Sequence, residues 1–172
     1  MPRSRGAKPT KRARTSRVFT SGTAALLAAA FGASMSSAEN DPAEPIDEQH
    51  RCLALTMYFE ARSEGPEGMR AVGSVVLNRV ESEHFPSTVC EVVKEGGETP
   101  PCQFSWWCDG KSDVPRNAEQ WQTALAVAAA LLEDRGEDPT NGALFFHAAS
   151  ISVPWRVERT KTAEILGHIY YR

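Results

Sequence analysis

Glu60 interrupts an apolar helical pattern, with Met57, Tyr58 and Phe59 before it and Ala61 after it. Surroundings of that kind are poor in water, which penalises a charged carboxylate and raises its pKa. A carboxyl group that holds its proton near neutral pH is what general-acid chemistry requires. The structural alternative is a buried salt bridge at the helix end, with Arg62 or Arg79 as partner. Glu64 follows four residues later and would share the same helix face if the helix continued. Ser63 to Pro66 should break it there, leaving Glu64 a solvated acid near the start of a second helix, where the helix dipole favours it.

Two further sets of residues could bind a metal. The four cysteines include no C-x-x-C pair, and five residues separate Cys102 from Cys108, so a zinc site through them is disfavoured. Four cysteines allow three disulfide connectivities. The working expectation is Cys102 with Cys108, closing a local loop, which leaves Cys52 with Cys90 to tie the first helix to the loop after the second. His50, His84, His147 and His168 could suggest a zinc amidase, but no two have the close helical spacing of a familiar zinc motif, so structural, hydrogen-bonded histidines are expected.

The elements that must position these residues occupy the later part of the chain. Residues 1–38 open with seven Lys and Arg and no acid, continue as an uncharged run from Val18, and reach Ser36-Ser37-Ala38. They read as a secretory signal peptide cleaved after Ala38, with an uncleaved membrane anchor as the alternative. Cleavage would remove seven of the 19 basic residues and none of the 22 acids, taking the net charge from −3 to −10. So acidic a protein is a poor partner for nucleic acid. Export would also place the cysteines where thiols pair. After cleavage no stable membrane partner is expected, the location is periplasmic or secreted, and the protein is expected to be a monomer.

Residues 39–47 are acidic and interrupted by Pro42 and Pro45, and they read as a linker before a domain at 48–172. Asp47 is a plausible N-cap. The first helix carries Cys52, Leu55, Tyr58 and Phe59 at helical spacing and holds Glu60 in its last turn. The second begins at Pro66 and places Met69, Val72, Gly73, Val76 and Val80 on one face. Residues 81–116 are rich in Gly and Pro and predict irregular structure of the kind that shapes a binding site. Asn117 with Gln120 opens a third helix bearing Trp121, Leu125, Ala128 and Leu132, which stops at Gly136. Short strands are predicted at Ala143 to Ala148 and Ile169 to Tyr171.

Five blocks in this order carry a resemblance: Tyr58-Phe59-Glu60-Ala61-Arg62-Ser63-Glu64, the helix from Ala71 to Val80, Cys102-Gln103-Phe104-Ser105-Trp106, Thr140-Asn141-Gly142-Ala143 with Phe145-Phe146-His147, and Gly167-His168-Ile169-Tyr170-Tyr171-Arg172. Together they resemble the SleB/CwlJ-type cell-wall hydrolases over nearly all of residues 50–172. The resemblance implies peptidoglycan cleavage on a small α+β fold related to lysozyme-like transglycosylases, mainly helical with a short antiparallel β element near the C-terminus. It also implies that Glu60 is the catalytic acid. Ser63 stands where the family often has glycine, which touches the turn rather than the acid.

A hydrolytic glycosidase normally uses two carboxylates, and only Glu60 is well placed here. One working carboxyl suggests a lytic transglycosylase, in which the substrate supplies the nucleophile and no metal or cofactor is needed. An N-acetylmuramoyl-L-alanine amidase and a non-catalytic peptidoglycan-binding module are the alternatives. Gln103, Ser105, Trp106 and Trp107 form a set suited to a sugar groove, since aromatic faces stack on pyranose rings while amides and hydroxyls read their substituents. Asn78, His147 and Trp155 complete the candidate substrate-binding set. Asn78 and Trp155 could equally serve the interior, a structural role is the favoured reading of His147, and Trp121 is expected in the core.

Overall fold

A computed structural model describes residues 46–154 and 158–172; the expected signal peptide, nearly all of the expected linker and Trp155 lie outside them. Helix α1, Glu48–Ala61, starts where the Asp47 carboxylate accepts hydrogen bonds from the backbone N–H groups of Gln49 and His50, at 3.1 and 3.3 Å. It ends in a 3-10 turn, Arg62–Glu64, and Gly65 at φ +68° turns the chain into α2, Gly65–Val80. That φ lies in the left-handed region that glycine enters without steric cost.

The stretch 81–116 is less irregular than expected. It holds two short helices, α3 at Val89–Val93 and α4 at Ser105–Cys108. A local signal for α3 was present: Thr88 accepts from the Glu91 N–H and its hydroxyl donates to the Glu91 carboxylate at 2.7 Å, a capping arrangement. Helix α5, Ala118–Glu133, begins with the Asn117 side chain accepting from the Gln120 N–H at 3.0 Å.

Helix α2 is the centre of the molecule. The expected single apolar face proves too narrow, because every residue from Ala71 to Leu77 is buried. One side of α2 packs on α1 and α5, where Met57, Val72, Val76, Ala124, Ala128 and Leu131 share a core. The other side packs on the sheet through Ala71, Val75, Ala143 and Tyr170. The apolar stripe of α5 runs through Ala124, Ala128 and Leu131, while Leu132, which the periodicity put on that face, is exposed.

The sheet is antiparallel with strand order β1-β3-β2: β1 is Phe145–Ala148, β2 Lys161–Ile165 and β3 His168–Tyr171. Strand β2 was not anticipated, because Lys161 and Glu164 spoil its apolar alternation. It pairs at the sheet edge and reaches β3 through a two-residue turn, Leu166-Gly167, with Leu166 at φ +49°. The fold is therefore α+β, helical with a small C-terminal sheet. Two disulfides follow the expected connectivity: Cys52–Cys90 joins α1 to α3, and Cys102–Cys108 closes the loop that contains α4.

At Gly73 side chains of both α1 and α5 press against α2. A Cβ there would lie 2.6 Å from Leu131 Cδ1 and 2.8 Å from Met57 Sδ. In an exposed helix Gly→Ala would stabilise by about 1 kcal/mol. Here overpacking dominates, and Gly73→Ala is expected to destabilise by about 1–3 kcal/mol, as measured by urea unfolding.

Candidate active site

The last turn of α1 opens onto a cleft of about 750 Å³. Tyr58, Phe59, Glu60 and Arg62 form its floor, Ser105 and Trp106 one wall, and Asp109 to Asn117 with Gln120 the other. Two contacts hold the walls. On the first, the Trp106 ring stacks on Phe59 with centroids 5.1 Å apart and 19° between planes, and the Cys102–Cys108 disulfide closes the loop behind it. On the second, the Tyr58 hydroxyl accepts hydrogen bonds from the backbone N–H groups of Arg116 and Asn117, both at 3.0 Å. Tyr58 and Phe59 thus fix both walls to the residues immediately before Glu60.

Glu60 is largely shielded from water, and burial raises its pKa from 4.5 to about 7, with the positive charge of Arg79 pulling the other way. Among the described residues its carboxyl makes no ion pair. Arg79 is also buried. Its Nε donates to Leu144 O at 2.8 Å and its guanidinium lies over the rings of Phe85, Phe104 and Phe145, at 5.1, 5.3 and 5.8 Å from their centroids. Burial lowers its pKa to about 10 against the support of Glu95 and Glu60, so it remains a cation at neutral pH.

Glu64 is not the solvated acid its sequence suggested. The helix does break as expected, but the side chain is only 14% exposed and Oε1 lies 2.9 Å from His168 Nδ1. Gly68 and Gly167 make the room: a Cβ on either would come within 2.5 Å of the Glu64 side chain. The charge of Glu64, after burial, also raises the pKa of the neighbouring Tyr170 phenol. This carboxylate ties the turn after Glu60 to β3 and does not line the cleft.

Of the candidate substrate-binding residues, Ser105 and Trp106 line the cleft with Glu60. Gln103 and Trp107 belong to the same disulfide loop but do not line it. Gln103 is exposed, and Trp107 packs edge-on to Trp106 beneath Lys94. Asn78 lies elsewhere, donating to Asp138 Oδ2 at 3.0 Å and Ala143 O at 2.9 Å and accepting from Arg135. It braces the Asp138–Gly142 turn, where Thr140, Asn78 and Gly142 hydrogen bonds hold the Asp138 carboxyl below its ordinary pKa in spite of burial. His147 is buried, with Nδ1 2.8 Å from Ala148 O and Nε2 3.1 Å from the Tyr171 hydroxyl. Both belong to the interior because their polar atoms are already used there. His50 likewise meets Leu125 O at 2.8 Å, and His84 is exposed. Trp121 is half-buried on α5, with its edge toward Tyr58.

The far wall escaped the sequence reading. Asp109 and Asp113 put two further carboxylates in the cleft. Asp109 accepts from the Lys111 backbone and side chain, which keeps its pKa low; burial and then Asp109 raise that of Asp113. Only the general expectation that a long loop shapes a site pointed to them.

A family model for cell wall hydrolases matches residues 63–171, more than half of the chain. The chain belongs to that family. The match begins just beyond Glu60, so the acid itself rests on the geometry described above. The chain is 33% identical over 134 residues to the spore cortex-lytic enzyme of Bacillus subtilis (strain 168), covering 77% of this chain and 40% of that protein. A spore cortex-lytic enzyme of Halalkalibacterium halodurans is 33% identical over 140 residues, with 80% and 39% covered. The chain thus spans about two fifths of the length of these relatives. Among solved structures, the catalytic domain of the germination-specific lytic transglycosylase SleB from Bacillus anthracis is similar at a TM-score of 0.58 and 29% identity, covering 77% of this chain and all of that one.

Between pH 4.5 and about 7 the folded chain keeps a Glu60 proton that the unfolded chain has lost, so stability falls as pH rises through that window. Glu60→Gln has no such proton to lose. Thermal unfolding from pH 4 to 8.5 is expected to show the variant gaining on the parent from pH 4.5 upward, with the gap constant above about pH 7.5.

Proposed function

We propose that this cell wall hydrolase cleaves peptidoglycan glycan strands between N-acetylmuramic acid and N-acetylglucosamine, as a lytic transglycosylase with Glu60 as acid and base. The observation that carries this reading is a carboxyl that lines a cleft of about 750 Å³, is largely shielded from water and makes no ion pair among the described residues, which raises its pKa. Protonated Glu60 would give its proton to the glycosidic oxygen as the bond to muramic C1 breaks. The resulting carboxylate would then take the proton of the muramic 6-hydroxyl while that oxygen closes on C1 as a 1,6-anhydro ring, returning Glu60 to its starting state. The Bacillus anthracis neighbour is itself named a lytic transglycosylase, which agrees with this chemistry.

Trp106 and Phe59 would supply an apolar surface for sugar rings, and Ser105 and Gln120 polar contacts for their substituents. Two disulfides fit an oxidising compartment, and with the basic and apolar leader they favour export to the periplasm or beyond. Among the described residues no helix is long and apolar enough to cross a membrane.

Asp109 and Asp113 favour a second reading, hydrolysis, in which one of them activates water opposite Glu60. Mass spectrometry of digested sacculi separates the two: anhydromuramic ends support transglycosylation, reducing ends support hydrolysis, and free stem peptides would indicate an amidase instead. Glu60→Gln is expected to lose at least a hundredfold in kcat while still sedimenting with sacculi. Activity of the parent should decline above about pH 7, as the acid form is titrated away, and a chelator should leave it unchanged.

A further inference from the structure

A second depression, of about 320 Å³, adjoins the cleft at Arg62. The two share Arg62, Asn117 and Gln120, so the second is a side branch of the first. Beyond that shared rim it is walled by Met69, Glu119 and Thr123. We propose that this side pocket binds the peptide stem carried by the muramic acid residue, a reading that rests on the glycan cleavage proposed above.

Covalent structure fixes where a stem must leave the glycan. The bond to be broken lies at C1 of muramic acid, and the lactyl ether that bears the peptide is on the same ring, at O3. A muramic ring placed with C1 at Glu60 therefore sends its peptide out beside Glu60. Arg62, two residues along the chain, marks the junction of the cleft and the branch. The volume is at the small end of pockets that hold discrete ligands, ~300–1,000 Å³, which suits a short peptide rather than another pair of sugars.

Charge points the same way. A stem peptide presents a free carboxylate near its glycan end, followed by a primary ammonium on its diamino acid. Arg62 stands at the end of the branch nearest the cleft, and its guanidinium rests 5.1 Å from the Tyr58 ring centroid. Glu119 lines the branch and not the cleft. Among the described residues neither charge is neutralised by an ion pair within the protein. A cation and then an anion, in order away from Glu60, match the polarity of the stem. Arg62 can grip a carboxylate through two parallel N–H donors, while Glu119, exposed like Arg62, offers a single charge.

The test compares kcat/KM on peptide-bearing glycan strands with that on the same strands stripped by an amidase. The wild-type chain is expected to prefer the peptide-bearing strands. That preference should fall about tenfold in Arg62→Gln, through KM, which is the scale of one charge-assisted hydrogen bond. Thr123→Trp, which fills the branch from α5, should reduce it similarly, and both variants should keep the parent's thermal unfolding profile. Equal cleavage of both substrates by the wild-type chain, or losses in both variants that are the same on the two substrates, would overturn the proposal. Undiminished turnover by Glu60→Gln would instead overturn the glycan-cleavage reading on which it stands, so the two failures are distinguishable.

Discussion

A carboxyl group that is kept from water and yet left without a partner is the constraint around which this molecule is arranged. Most desolvated acids in proteins are relieved by a hydrogen bond or a cation. Among the described residues Glu60 has neither in direct contact, and burial raises its pKa to about 7. Holding it there requires the residues on either side of it in sequence to do the fastening. Tyr58 reaches across to the loop that leads into α5, and Phe59 stacks on the disulfide-closed loop of α4. One turn of helix therefore carries the acid and both attachments of its cleft, and a shift in either wall would change the water around Glu60.

The contrast with Glu64 shows how much the turn between α1 and α2 decides. The two glutamates are four residues apart, and on a continuous helix they would face the same way. The non-helical backbone at Ala61, φ −135°, and the 3-10 turn after it send them apart instead. Glu60 lines the cleft with no ion pair among the described residues, while Glu64 is packed between two glycines and met by His168. The second contact anchors the turn to the sheet, so the acid's position is braced from β3 as well as from the two walls.

What could be read from the sequence was local. The caps at Asp47 and Asn117, the place of Glu60 in the last turn of α1 and the disulfide pairing each depend on residues a few positions apart or on a short list of cysteines, while the α+β class came from the family resemblance. What could not be read depends on contacts between distant segments. The burial of Glu64 needs Gly167, a hundred residues away, and the far wall of the cleft needs the Tyr58 hydroxyl to find the Arg116 and Asn117 amides. Asn78 and His147 have the side chains of a sugar-binding site, but residue type does not reveal whether the donors and acceptors are already taken. Here Asp138, Ala143, Ala148 and Tyr171 take them.

Arg79 explains why the arrangement stops near neutrality. Burial alone would drive a lone carboxyl further up, toward a group that gives up its proton too rarely to turn over as a base. A cation in direct contact would have the opposite effect and leave an ionised glutamate useless as an acid. Arg79 stands between these extremes: it is fixed by Leu144 and three phenylalanine rings, and it acts on Glu60 through space while Glu95 shares its charge. The aromatic faces partly offset the cost of burying a guanidinium. That cation is held by α2, β1 and the segment around Phe104 rather than by Glu60 itself, so its distance from the acid is set by the core.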